Sequence, residues 1–104
     1  MTSVDMIACN IKMGSDDFEE IKRRIQDIIA GIIGCDASAD LDEEISVLLI
    51  APVRYSCKRP LMKVVVCTDE ESQERCDIQR AIEAELEETD VRLQVAVIKE
   101  LSAH

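Results

Sequence analysis

The spacing of apolar residues along the chain predicts a β-α-β-β-α-β order. Strands are predicted where every second residue is apolar, or where the residues of both alternating sets are. These stretches are 4–11, 45–53, 61–67 and 91–98. A stripe at steps of three and four residues predicts a first helix that Gly34 ends, and its members are Phe18, Ile21, Ile25, Ile28 and Ile32. A narrower stripe predicts a second helix that reaches about Glu88, and its members are Ile78, Ala81, Ile82 and Leu86.

Capping boxes are predicted at the starts of both helices. Ser15 or Asp16 can cap the first helix, and Asp16 has Glu19 three residues further on. Thr68 and Glu71 have the same spacing before the second helix. In such a box the first side chain accepts a hydrogen bond from the backbone N–H three residues later, and the carboxylate reaches back.

This order of elements predicts one domain over residues 1–104 that contains both helices and strands, an α/β fold in the broad sense and α+β in the narrower one. Its two halves are βαβ units in tandem. Two architectures remain open. In the ferredoxin-like arrangement, strands 2 and 3 pair as an antiparallel hairpin and strand 1 lies between strands 3 and 4. In the other arrangement, strands 1 and 2 are adjacent and parallel. The order alone does not choose between them.

Strand 2 is apolar on both of its faces, although two helices cover only one face of a four-stranded sheet. Ile45, Val47 and Leu49 share one parity, and Leu48 and Ile50 lie on the other. An apolar face left in water would exceed the patch that monomers usually expose. Either loops and the C-terminal tail cover that face or a second copy of the chain does, and we favour the homo-oligomer.

The charge of the chain argues against two classes of partner. Acidic residues outnumber basic ones 22 to 12, which gives a formal net charge of −10. This charge opposes binding to nucleic acids and to anionic membranes. No apolar run approaches the roughly 20 residues that span a bilayer, and no signal peptide is recognisable, so we expect a cytoplasmic protein.

The cysteine pattern predicts free thiols, and we expect neither a metal site nor a cofactor. The five cysteines include no CxxC pair, and the only histidine is His104. Cys9 and Cys67 lie within predicted strands, where we expect them in the core, and Cys76 is expected on a helix surface. Zinc sites need closely spaced Cys and His ligands, which this sequence lacks.

A local reversal of charge marks the connection between the second and third strands. The segment 54–63 reads RYSCKRPLMK and holds four of the twelve basic residues and no acid. Arg54, Tyr55, Lys58 and Arg59 suit recognition of a small carboxylate or phosphate, because guanidinium groups offer paired donors to planar oxyanions. The alternative is a solvated turn that pairs with the acidic 36–44 loop, and the frequency of idle charged turns favours it. Cys57 has cationic neighbours, but no histidine is available to activate it.

Several short segments resemble the tautomerase superfamily, the group of 4-oxalocrotonate tautomerase and macrophage migration inhibitory factor. The matching segments are Ile32-Ile33-Gly34-Cys35, Pro60 followed by Met62, Val64 and Val66, Gln73 with Asp77 and Ile78, and Val95-Ala96-Val97-Ile98. The similarity is greatest to a bacterial branch of single chains just over 100 residues long, and it covers most of the chain from residue 18 onward.

The resemblance implies a homotrimer packed through its sheets, with an active site at the N-terminus of the first strand. Superfamily enzymes use an N-terminal proline there as base or nucleophile, and arginines hold a carboxylate substrate. The residue after Met1 is Thr2, so the secondary amine of proline is absent. A primary amine can still form a Schiff base with a carbonyl compound. The resemblance therefore makes the Thr2 amine and Arg54 the candidates by position.

Three functional hypotheses follow. The first is a tautomerase-superfamily homologue, active on a small oxo-carboxylate or degenerate, and it predicts a trimer with strands 1 and 2 adjacent and parallel. The second is a non-enzymatic ferredoxin-like module that binds a small ligand or a protein through its open sheet face. The third is a protein whose role is assembly alone.

Overall fold

The computed structural model describes residues 2–34, 44–51, 59–87 and 92–99. These residues form, in chain order, β1 (Thr2–Cys9), α1 (Ser15–Ile33), β2 (Ile45–Ile50), β3 (Leu61–Thr68), α2 (Ser72–Leu86) and β4 (Arg92–Lys99). The predicted β-α-β-β-α-β order is therefore confirmed. The first strand begins two residues earlier than predicted and ends at Cys9, because Asn10 adopts a positive φ of 59° that breaks the extended chain.

The sheet has the order β2-β1-β3-β4. β1 and β2 are parallel and joined through α1, and β3 and β4 are parallel and joined through α2. The two units meet along the central antiparallel pair of β1 and β3. This pairing is that of two tandem βαβ units. The ferredoxin-like alternative is wrong, since it requires β2 to pair with β3, whereas the described β2 pairs with β1.

Both predicted capping boxes are replaced by other geometry. The N-cap of α1 is Gly14, and no side chain caps it. The N-cap of α2 is Glu71, again without a side-chain bond, while Thr68 remains the last residue of β3. The predicted stop at Gly34 is confirmed: it has a φ of 77°, and its N–H bonds to the carbonyl of Ala30. Such a left-handed C-cap is the conformation that glycine adopts without strain.

The core lies between the two helices and one face of the sheet. It is formed by alternate residues of the strands and by the inner stripes of the helices, namely Val4, Met6, Ile25, Ile29, Ile45, Met62, Val64, Val66, Ile78, Ile82 and Leu86. Burying each such aliphatic side chain contributes about 1.5–3 kcal/mol. Thr2 and Thr68 share the parity of Val4 and Val66, so their side chains enter the same layer at its edge.

The opposite face of the sheet carries the other parity of each strand, and we call it the open face. Its described central members are Ser3, Asp5, Ile7, Ser46, Leu48, Ile50, Lys63, Val65, Cys67, Gln94, Ala96 and Ile98. Leu48 and Ile98 are 57% and 50% exposed, and Ile50 is 37% exposed. The predicted second apolar face is therefore present and uncovered by the described part of the chain. Neither described helix is long and apolar enough to cross a membrane.

Candidate functional site

The N-terminal end of β1 lies at one edge of the sheet, between two paired strands. Thr2 is paired with Ile45 of β2 and, by continuation of the antiparallel register, faces Thr68 of β3. Thr68 in turn is paired with Lys99 of β4. Ile45, Thr2, Thr68 and Lys99 thus form one row across this end of the sheet, which we call the Thr2 row.

Thr2 is tied into the row by its side chain as well as by its backbone. The two hydroxyl oxygens of Thr2 and Thr68 lie 3.0 Å apart, and the two residues are 2% and 0% exposed. The backbone N–H of Glu70 donates to the Thr68 hydroxyl oxygen at 3.4 Å. Since a hydroxyl has one proton to donate, the arrangement in which Thr68 donates to Thr2 leaves the Thr2 hydroxyl proton available for another acceptor.

A buried amide holds the neighbouring strand at the same row. Gln26 of α1 is 5% exposed, and its side-chain Nε2 donates to the carbonyl oxygen of Ile45 at 3.0 Å. This bond ties the first residue of β2 to the inner side of α1. Gln26 therefore fixes the strand that flanks Thr2 on one side, while Thr68 fixes the strand on the other.

Lys99 brings a positive charge to the Thr2 row. Its Nζ lies 3.7 Å from an oxygen of Glu71, the residue that caps α2, and both side chains are substantially exposed. Lys99 is two strand spacings from Thr2, which is roughly 10 Å between their backbones. The described part of the row thus offers a lysine and an anchored threonine, with the lysine partly neutralised by Glu71, the N-cap residue of α2.

Arg59, the described basic residue of the predicted turn, is not at this end of the sheet. Arg59 is exposed and precedes Leu61, which pairs with Cys9 at the far end of β1. On the other side of the turn, Ile50 is the last residue of β2 and pairs with Ile7, near that same far end. The other predicted members of the turn lie outside the described residues, and they are Arg54, Tyr55, Cys57 and Lys58.

The length of β1 measures the separation between the two candidate regions. Seven residue steps lead from Thr2 to Cys9, which corresponds to roughly 23 Å at the rise of a strand. A small oxo-carboxylate is much shorter than this distance. Within one copy of the chain, a ligand held at Arg59 cannot also touch Thr2.

The described cysteines fall into three environments. Cys9 is buried and Cys76 is exposed on α2, as expected from the sequence. The expectation that Cys67 lies in the core is wrong: it is partly exposed, because its parity places it on the open face beside Ser3 and Ile98. Within the described ranges, no group of three His, Cys, Asp or Glu side chains could hold a metal ion.

Sequence reasoning misses three members of this region: Thr68, Gln26 and Lys99. Thr68 could have been found from the alternation of buried residues in its strand, because it follows Met62, Val64 and Val66 by one more step of two residues. Its spacing to Glu71 predicts a helix cap instead. The signal for Gln26 is its place beside Ile25 and Ile29 on the buried side of α1, where a polar residue needs a partner. Nothing in the sequence around Lys99 indicates that it lies near Thr2, because its position depends on how β4 pairs with β3.

Solved structures of other proteins share this fold. Leishmania major MIF2 superposes with a TM-score of 0.73 at 12% identity, over 100% of this chain and 92% of that chain. Pt0534 inactivated by 2-oxo-3-pentynoate gives 0.70 at 17% identity, over 94% and 85% of the two chains. A fused 4-OT that forms a symmetric trimer gives 0.58 at 12% identity, over 94% and 85%.

At these identities the likeness establishes the fold. No family model matches the sequence, and no curated protein does. The strand order, the two parallel crossovers and the superpositions agree with one another. The chain therefore has the fold of the tautomerase superfamily, whose members include the migration inhibitory factor and 4-OT proteins.

Proposed function

We propose that this chain is a small oxo-carboxylate tautomerase or isomerase that works as a homotrimer, with the amine of Thr2 as its base. The observation that supports it best is the position of Thr2. This residue begins the central strand β1 of a tautomerase-type sheet and is held from both sides by Ile45 and Thr68. The proposal requires removal of Met1, which turns the nitrogen of Thr2 from an amide into a free amine. A terminus fixed in this way can present that amine to a substrate in one orientation, which is the requirement for efficient proton transfer.

The proposed chemistry moves one proton between two atoms of the substrate. The neutral amine removes a proton from the carbon next to the oxo group, and the electron pair of that C–H bond moves onto the carbonyl oxygen to give an enolate. The ammonium group then returns the proton to another atom of the conjugated system, so the amine is regenerated. No cofactor takes part in this cycle. A primary amine replaces the secondary amine of proline in the family's usual base.

The carboxylate of the substrate needs cationic donors, and the proposal assigns them to the basic turn. Arg59 is its described member, and Arg54, Tyr55 and Lys58 remain candidates on sequence grounds. Because Arg59 lies at the far end of the sheet, the proposal brings it to Thr2 from a neighbouring copy of the chain. Lys99, in the Thr2 row, is a second cation that the same copy supplies.

Self-association of this chain rests on two supports. The open face exposes large apolar side chains, among them Leu48 and Ile98, next to smaller ones such as Ala96. Such a face favours burial against another protein surface. The fused 4-OT of the same fold is a symmetric trimer. The proposal requires a closed ring of three copies that covers each open face and brings the far end of one sheet near a neighbour's Thr2 row.

A pair of assays tests the proposed function. Tautomerisation of phenylpyruvate or 2-hydroxymuconate is followed for the purified chain, while intact mass spectrometry identifies the residue that carries the free amine. The matched variants carry the same Gly-Ser extension, one ahead of Met1 and one after His104. The proposal predicts turnover that the N-terminal extension abolishes and the C-terminal extension leaves unchanged. Turnover that is equal in both variants would contradict it, as would no turnover in the unmodified chain.

One observation favours a second candidate, a homologue that binds a small oxo-carboxylate without turning it over. Thr2 follows Met1 and is 2% exposed, and a chain that keeps Met1 has an amide and no amine at Thr2. Calorimetric titration with a non-enolisable oxo-carboxylate distinguishes the two functions. Binding together with no turnover supports the second candidate, and turnover supports the first.

A further inference from the structure

Asp5 is a charged residue in the middle of the open face. It lies on the central strand β1, paired with Leu48 on one side and Val65 on the other, and it is half-buried among these apolar neighbours. Within the described residues it makes no ion pair or hydrogen bond through its carboxylate. A carboxylate that is enclosed without a partner costs several kcal/mol. A cation that pairs with Asp5 would therefore favour covering the open face.

Lys63 is the cation closest to the centre of this face. It lies on β3 and is paired with Ile7, the residue two positions after Asp5 on β1. Lys63 and Asp5 are therefore diagonal neighbours on the same side of the sheet. The side chain of Lys63 is exposed and, like that of Asp5, has no ion-pair partner among the described residues. The remaining described charge on the open face is Arg92, which lies at the far end of β4.

The charge of the open face differs from that of the whole chain. The described residues of this face include one acid, Asp5, and two bases, Lys63 and Arg92. The chain as a whole has a formal charge of −10. Association through the open faces therefore brings together surfaces of low net charge, where repulsion between copies is weaker than the charge of the whole chain would suggest. The acid and the bases of this face, together with the symmetric trimer of the fused 4-OT that shares the fold, favour a second copy of this chain as the occupant.

From these observations we infer that Asp5 of one copy forms an ion pair with Lys63 of a neighbouring copy when the open faces associate. The pair neutralises the half-buried carboxylate and fixes the register in which the sheets pack. Polar pairs inside an apolar interface specify one arrangement among several of similar apolar area. This inference rests on the self-association contained in the proposed function and adds the residues that determine its geometry.

Charge reversal at each position provides the test. Asp5→Lys leaves a lysine at both positions of each open face, and Lys63→Asp leaves an aspartate at both. Each variant alone opposes like charges in every contact between copies, which is unfavourable. We expect the dissociation constant of each, from light scattering over a dilution series, to rise at least about tenfold above that of the unmodified chain.

Mixing the two variants separates a pair between copies from a pair within one copy. In a mixed ring of three copies, two of the three contacts oppose unlike charges and one still opposes like charges, so association is partly restored only if the pair joins different copies. The double variant with both reversals should associate in either case. The expected result is a dissociation constant of the mixture that lies between those of the single variants and that of the double variant. A mixture that dissociates as readily as the single variants, while the double variant associates, would overturn the inference.

Controls separate this inference from the proposed function and from folding. Asp27→Lys on the exposed side of α1 and Lys12→Asp in the β1–α1 connection change the charge equally away from the open face, and both should associate normally. Circular dichroism checks folding, and Asp5→Asn with Lys63→Gln provides milder variants that should weaken association less. An unmodified trimer unaffected by any change at residues 5 and 63 overturns the pair alone. An unmodified monomer overturns both the pair and the proposed assembly.

Discussion

Thr2 and Thr68 are 66 residues apart in the chain, yet their hydroxyl oxygens lie 3.0 Å apart in the interior of the protein. This bond joins the first residue of β1 to the last residue of β3. The two βαβ units meet along this pair of strands, and the bond lies at one end of it. Both residues are almost completely buried, so water cannot replace either partner. The position of Thr2 therefore depends on a side chain from the second half of the chain.

The hydrogen bond between Thr2 and Thr68 predicts that the two single substitutions lower the free energy of unfolding by different amounts. Thr68→Val removes the hydrogen-bond partner of both Thr2 and the Glu70 N–H, and it should lower the free energy of unfolding by about 1–3 kcal/mol. Thr2→Val leaves the Thr68 hydroxyl its bond with Glu70, so it should cost less. The double variant should cost less than the sum of the two, since no hydroxyl is then left buried without a partner. Urea denaturation measures all four proteins, and strict additivity would contradict the bond.

Gln26 provides a second test of how this end of the sheet is built. Gln26→Leu removes the donor to the Ile45 carbonyl and leaves a buried oxygen unpaired, at an expected cost of about 1–3 kcal/mol in the free energy of unfolding. The matched control is Gln73→Leu. Gln73 bonds to Asp77 on the exposed side of α2, where such pairs contribute about 0.2–0.5 kcal/mol. Equal effects of the two changes in urea denaturation would argue against an anchoring role for Gln26.

The repeating pattern of the sequence predicts most of this fold, because its information is local. The stripe that includes Ile25 and Ile28 defines α1, and Gly34 ends it in the predicted conformation. Helix starts are less predictable: Asp16 has the spacing of a capping box, yet Gly14 occupies the N-cap. Acidic residues are frequent throughout this chain, so the spacing of a capping box also arises where no cap forms.

The candidate site is less predictable than the fold, because it depends on strand pairing. Thr2 is a candidate from the resemblance, but Thr68 and Lys99 join it only through the register of three strands. The same register places Arg59 at the far end of the sheet, a separation that no local pattern encodes. Strand order also decides against the ferredoxin-like arrangement, a choice that the order of elements leaves open.

Two isoleucines on opposite sides of the sheet should respond differently to truncation. Ile82 is fully buried in the core, so Ile82→Ala should lower the free energy of unfolding by about 2–5 kcal/mol. Ile98 is 50% exposed on the open face, so Ile98→Ala should change unfolding of the dissociated chain by less than about 0.5 kcal/mol. Light scattering should show weakened association for Ile98→Ala. Unchanged association would remove Ile98 from the interface.

Thiol labelling provides an independent probe of the open face. Cys67 is partly exposed on that face, and Cys76 is exposed on α2. In the assembled protein, Cys67 should react slowly with iodoacetamide and Cys76 rapidly, because only the first is covered by the neighbouring copy. Dilution below the dissociation constant should accelerate labelling of Cys67 and leave that of Cys76 unchanged. Peptide mapping by mass spectrometry measures the two rates, and a concentration-independent rate at Cys67 would argue that its face stays uncovered.

The central claim is that each site combines the Thr2 row of one copy with the basic turn of another. Coexpression of two disabled copies tests it, one with a Gly-Ser extension ahead of Met1 and the other with Arg54→Ala and Arg59→Ala. Each alone should lose tautomerase activity, whereas in every mixed trimer about one site in three regains an intact N-terminus beside an intact turn. Recovered turnover in purified mixed trimers is the predicted result. Folded, mixed trimers without recovered turnover would contradict the shared site.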